Sequence, residues 1–150
     1  MITIRGYETR DWERIQAIHD EARRRELALA GLEAAFLPLA VAAEREGLFD
    51  YQLAVAELDG AVAGFVAYTD EELAWLYVDQ AMGRRGVGRA LARHALERAG
   101  RPMSVEVLQG NEPALALYRS LGFRDVETVT GHMPGNEAFS VTVHCLTLEE

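Results

Sequence analysis

Gly83-Arg84-Arg85-Gly86-Val87-Gly88, with Leu73 to Asp79 ahead of it and Arg89 to Ala99 behind it, decides how this 150-residue chain is read. Leu73 to Asp79 reads as a strand. Beyond Gly88, the residues Leu91, Ala92, Ala95, Leu96 and Ala99 recur at helical spacing, with Arg89, Arg93 and Glu97 on the opposite face. A glycine-rich passage from strand to helix gathers unpaired backbone N–H groups at the positive end of a helix dipole, and glycine lets a ligand approach the main chain. Such a turn suits a diphosphate. It is neither a GxGxxG dinucleotide fingerprint nor a GxxxxGK phosphate loop, because the glycine spacing differs and the segment holds no lysine.

Working towards the N-terminus, Tyr51 to Leu58 and Ala61 to Thr69 are two further strands, joined at Asp59-Gly60 as a two-residue hairpin. Ile2 to Gly6 is a short opening strand. Thr9 is expected to cap a helix carrying Trp12, Ile15, Ile18 and Ala22 inward, and Pro38 to Gly47 reads as a second helix. Arg23 to Leu37 has no decisive pattern. His19, Asp20 and Glu21 are consecutive helix positions that cannot converge on one metal ion, and they read as a solvated face.

Working towards the C-terminus, Met103 to Leu108 is a strand, and Asn111 caps a helix with Pro113 in its first turn and Gly122 beyond its end. Ala114, Leu117, Tyr118 and Leu121 share the inner face of that helix. Phe123 to Thr130 and Phe139 to Leu148 close the chain as strands, with Cys145 expected to be buried on an apolar face. His94 reads as structural. The order of elements predicts an α+β fold: a central mixed sheet of about seven strands with about four helices, over residues 1–150 as one domain.

Two stretches carry a family resemblance. Leu76-Tyr77-Val78-Asp79 followed by Arg85-Gly86-Val87-Gly88-Arg89-Ala90-Leu91 resembles the acetyl-CoA motif of the GNAT N-acetyltransferases. Asn111-Glu112-Pro113-Ala114 through Tyr118 to Ser120-Leu121-Gly122-Phe123 is similar to the later motif of the same superfamily. The resemblance departs at Gly83, where the family usually has Gln or Arg, and at Gln80, where proline is common.

The resemblance implies a GNAT fold with acetyl-CoA held between the strands Leu73 to Asp79 and Met103 to Leu108. Leu76, Tyr77 and Val78 would pair with the pantetheine arm by main chain. Arg84, Arg85, Gly86, Val87, Gly88 and Arg89 would hold the pyrophosphate, and Asn111 and Tyr118 would face the cofactor. The acetyl group would pass directly to a primary amine of a small molecule; the alternatives are a protein or peptide amine, or a non-catalytic acyl-CoA-binding module. Glu72 is placed by the resemblance as the base, against a solvated strand end; Tyr118 is placed as the acid at the CoA sulfur, against a core aromatic. His132, in a loop that the resemblance sets beside the acceptor, is a further candidate.

Composition bounds these expectations. With 49% apolar and 26% charged residues the chain has the balance of a globular protein. A net charge of −9, from 24 acidic and 15 basic residues, repels a nucleic-acid backbone and mildly favours a cationic acceptor. One cysteine forms no disulfide framework, and no CxxC or HExxH spacing points to a metal. No signal or membrane-spanning segment is read, and a cytoplasmic protein is expected, with a homodimer among its possible assemblies.

Overall fold

The computed structural model describes all 150 residues. The chain runs β1 (Ile2–Gly6), α1 (Trp12–Leu29), α2 (Leu39–Glu46), β2 (Gln52–Leu58), β3 (Ala61–Tyr68), β4 (Glu72–Val78), α3 (Val87–Arg98), β5 (Met103–Leu108), α4 (Glu112–Ser120), β6 (Arg124–Met133) and β7 (Asn136–Leu148). The seven strands form one sheet in the order β1-β2-β3-β4-β5-β7-β6, and every neighbouring pair is antiparallel except β4 and β5.

Local chemistry sets most of these boundaries. Asp59 and Gly60 both have positive φ, the conformation a tight hairpin turn needs. Asn111 caps α4 by accepting from the Ala114 amide at 3.3 Å, with Pro113 in the first turn. Thr9 does not cap α1. Thr9–Asp11 forms a single 3-10 turn instead, closed by a reciprocal pair of bonds between Glu8 and Asp11, and α1 starts at Trp12. The unpatterned segment resolves into the last turns of α1, which continue to Leu29, and a short turn at Glu33–Ala35.

Helices cover both faces of the sheet. α3 and α4 bury Val87, Leu91, Ala92, Ala95, Leu115 and Tyr118 against one face; α1 and α2 bury Ile15, Leu39, Ala42 and Ala43 against the other, over Val55, Phe65 and Trp75. A large aliphatic side chain taken fully out of water contributes about 1.5–3 kcal/mol, so these stripes outweigh the surface ion pairs in holding the helices down. α3 packs closest at Gly64. A Cβ there would stand 2.8 Å from the Tyr77 carbonyl oxygen and 3.0 Å from the Leu91 side chain.

Two further expectations are corrected. His19 is not on a solvated face: it is only 2% exposed, because Trp75 and Tyr77 of β4 pack on its ring and the start of α2 lies against Asp20. Cys145 is half-buried and not a core residue, since it lies between Glu106 of β5 and Glu127 of β6 in the register.

β4 and β5 are the two strands that matter for a site. They pair only at Glu72–Ser104 and Leu73–Val105, and beyond those residues they separate.

Candidate active site

The separation of β4 and β5 opens a cleft of about 470 Å³ that passes through the sheet. On one side it is lined by Leu76, Val78, Gly88, Asn111, Leu117 and Tyr118; on the other by His19, Arg23, Glu26, Glu46, Trp75 and Tyr77. A second cavity of about 360 Å³ adjoins it and shares Glu46, Trp75 and Glu106. Glu72, Tyr51 and Glu137 belong to the second cavity only.

The β4 backbone is half committed. The Asp79 amide donates to Ala63 at 2.7 Å, and Tyr77 lies opposite Phe65 in the same register. Alternation in an antiparallel ladder then turns the N–H and C=O of Asp79 and Tyr77 towards β3, and those of Leu76 and Val78 towards the gap, where the Val78 carbonyl accepts from Gln80 Nε2 at 3.0 Å. Of the three residues expected to pair with a ligand by main chain, two are therefore presented to it. Tyr77 faces the cleft by its side chain.

At the end of β4 the turn takes an unusual path. Arg84 has φ 65° and Gly86 φ 84°, which orients successive amides differently from a regular helix start, and α3 begins at Val87. A Cβ on Gly88 would meet Val78 and Leu117 only at ordinary contact distance, so the helix start lies close to β4 and α4. Arg84 and Arg85 are exposed and make no ion pair. Arg89 reaches across to the Ser120 hydroxyl at 2.7 Å. Two unneutralised guanidiniums beside free helix N–H groups make an electropositive patch on an acidic molecule.

Tyr118 is buried, with its ring edge-on to Phe123 at 5.5 Å. Its hydroxyl has no hydrogen-bond partner, yet no buried side-chain polar atom in the protein is unpartnered. The hydroxyl is therefore the part of the residue that meets the cleft. Burial, and then the charge of Glu26, push its pKa well above the ordinary tyrosine value, so it stays protonated and keeps a hydrogen to donate.

Glu26 is the residue that sequence reasoning missed on this side. It accepts from Asn111 Nδ2 at 2.8 Å, from Tyr77 Oη at 3.1 Å and from Arg23 at 2.7 Å, so α1, β4 and α4 meet at one carboxylate. Asn111 thus spends its carbonyl on the α4 cap and one amide hydrogen on Glu26. Tyr77, buried beside Glu26, is held well above its ordinary pKa, with burial the larger cause.

Glu72 is not brought together with Tyr118. Its carboxylate accepts from the Tyr51 hydroxyl at 3.1 Å in the second cavity. Glu106, also missed from sequence, lines both cavities and is exposed; its alternation with Val105 and Val107 on β5 was the available signal. Glu46 sits at the junction, its pKa raised by burial with Glu137 adding to the shift. His132 lines neither cavity: its ring bonds the Glu137 carbonyl at 3.1 Å on the exposed face of β6. His94 packs edge-on to Tyr68, away from the cleft.

A family model described as the acetyltransferase (GNAT) family matches residues 12–123. The chain is 38% identical over 74 residues to the peptidyl-lysine N-acetyltransferase YiaC of Escherichia coli (strain K12), covering 49% of this chain and 50% of that protein. It is 50% identical over 50 residues to the N-alpha-acetyltransferase RimI of Mycobacterium tuberculosis (strain ATCC 25618 / H37Rv), covering 33% of this chain and 32% of that one. The chain thus spans half the length of the first relative and about a third of the second. Among solved structures, the ribosomal-protein-S18-alanine N-acetyltransferase from Escherichia coli is 26% identical with a TM-score of 0.72, over 99% of this chain and 94% of that one.

Proposed function

The chain belongs to the acetyltransferase (GNAT) family, and from that premise we propose that it transfers an acetyl group from acetyl-CoA directly to a primary amine. The observation that carries the proposal is the gap between β4 and β5, onto which the main chain of Leu76, the amide of Val78 and the Tyr118 hydroxyl all open. An extended pantetheine arm would add to β4 as a short strand. The diphosphate would lie against the amides of the Arg84 to Gly88 turn, with Arg84 and Arg85 supplying the charge that Gly83 does not. Arg89, already bonded to Ser120, would set the rim.

Tyr118 would donate a hydrogen bond to the CoA sulfur as the thioester opens. The acceptor would enter from the second cavity. Glu46, Glu72, Glu106 and Glu137 line it against one arginine, Arg45, which donates to the Gly135 carbonyl. That excess of negative charge favours an amine arriving as an ammonium. Glu72, which the resemblance places as the base, is better placed to collect the cation, because its carboxylate lies with Tyr51 and not beside Tyr118.

A small cationic amine fits these walls. An amine carried by a peptide or protein is the second reading, supported by the peptidyl-lysine and N-alpha names of the two relatives. Thiol release from acetyl-CoA over a panel of lysine amide, spermidine and peptides with a free N-terminus or an internal lysine tests both. Release only with peptides selects the second reading; binding of acetyl-CoA with no release to any amine leaves a non-catalytic module. All 15 basic side chains of the enzyme are arginine, so it brings no side-chain amine of its own to the assay.

A further inference from the structure

His19 is almost fully buried, lines the cleft and is used by nothing described so far. Its Nδ1 lies 2.9 Å from Asp20 Oδ1, and the same oxygen accepts the Leu39 amide of α2 at 2.9 Å. A carboxylate oxygen only accepts, so Nδ1 must carry the hydrogen and Nε2 must carry the lone pair. Nε2 has no hydrogen-bond partner, while no buried polar side-chain atom of the protein lacks one. An unpartnered Nε2 therefore keeps some exposure, at the cleft that His19 lines. The ring is clamped by Tyr77 edge-on at 4.9 Å and Trp75 at 5.9 Å, so it cannot swing away.

We propose that His19, oriented by Asp20, is the general base that takes the proton from the acceptor amine. The inference rests on the transferase reading above. The entering ammonium gives one proton to Nε2; the freed nitrogen lone pair forms the C–N bond to the acetyl carbon; the C–S bond breaks. The nitrogen's second proton goes to the departing thiolate, giving the thiol, and Nε2–H releases its proton to water. The charged groups around the ring fit this task. Asp20 and Glu26 favour the protonated form, Arg23 opposes it, and Glu46 of α2 lines the same cleft. Burial outweighs them all and keeps the imidazole neutral at physiological pH, ready to accept.

The test has two arms. In the first, kcat/KM is measured against pH for wild type and His19→Gln with the best amine of the panel, alongside calorimetry of acetyl-CoA. The expected result is a loss of about 100-fold or more with cofactor affinity unchanged and the acidic limb of the profile gone. His19→Ala should regain rate on addition of imidazole, which a merely structural histidine would not allow. In the second arm, nitrogen-15 NMR of the imidazoles in the free protein should find His19 as a single Nδ1–H tautomer. A His19→Gln rate within about twofold of wild type with the acidic limb intact, or an Nε2–H tautomer, overturns the role of His19 and leaves the transferase reading standing. A wild-type protein that binds acetyl-CoA but releases no thiol to any amine overturns both.

Discussion

At the scale of single residues, the Tyr118 hydroxyl has a limited task. A tyrosine held above its ordinary pKa of about 10 cannot fully protonate a thiolate whose conjugate thiol is near 8.5, so in the proposed transfer it would contribute as a hydrogen-bond donor. Tyr118→Phe should lower single-turnover acetyl transfer by about 100-fold or less and barely move the melting temperature. Tyr118→Ala should cost about 3–5 kcal/mol of stability by leaving a cavity against Phe123 and Leu115. His19 makes a different prediction. Burial depresses its pKa in the folded state, so below pH about 6.5 the unfolded chain binds a proton that the native protein does not. Stability should fall as pH drops from 7 towards 5, and the melting temperature of His19→Gln should fall less over that interval. His94 is depressed in the same sense and remains in both proteins, and the carboxylates Asp11 and Asp79 are lowered and respond only at more acidic pH. Tyr118 was legible from sequence because an Asn cap, a tyrosine and Leu-Gly-Phe are local signals. His19 and Glu26 were not, because a polar run on α1 looks solvated until α2 and β4 are laid against it.

At the scale of elements, capping and turn chemistry made most boundaries readable. Asp59-Gly60, Asn111 and Gly47 each fix a chain direction within four residues. What stayed hidden was how α3 seats on the sheet, which is decided by a contact between residues far apart in sequence. Gly64 of β3 lies under α3, where a Cβ would stand 3.0 Å from Leu91 and 3.2 Å from Val87, so its missing side chain lets the helix sit close to the sheet. Gly64→Ala puts a methyl 2.8 Å from the Tyr77 carbonyl oxygen, which no side-chain rotation relieves. The expected cost is about 1–3 kcal/mol in chemical denaturation. Because the displaced element carries the Arg84 to Gly88 turn, calorimetry should also find weaker acetyl-CoA binding than in wild type. A variant with full affinity and full stability would show that α3 has slack at this contact.

At the scale of the whole molecule, an acidic protein keeps its local positive charge at one end of a through-sheet cleft and its densest carboxylates at the other. In the proposed reaction, a polyanionic donor and a cationic acceptor would be drawn to opposite mouths. The gap itself has a consequence for exchange of backbone hydrogens with solvent. Along one short strand, the Tyr77 amide is locked into β3 while those of Leu76 and Val78 are open to the cleft. Native-state hydrogen–deuterium exchange should therefore alternate residue by residue within β4: slow at Tyr77, fast at its two neighbours, although all three lie in the middle of the sheet. Saturating acetyl-CoA should slow Leu76 and Val78 towards the rate of Tyr77. A strand that looks complete in the sheet order would then behave, to deuterium, as half a sheet edge until its ligand arrives.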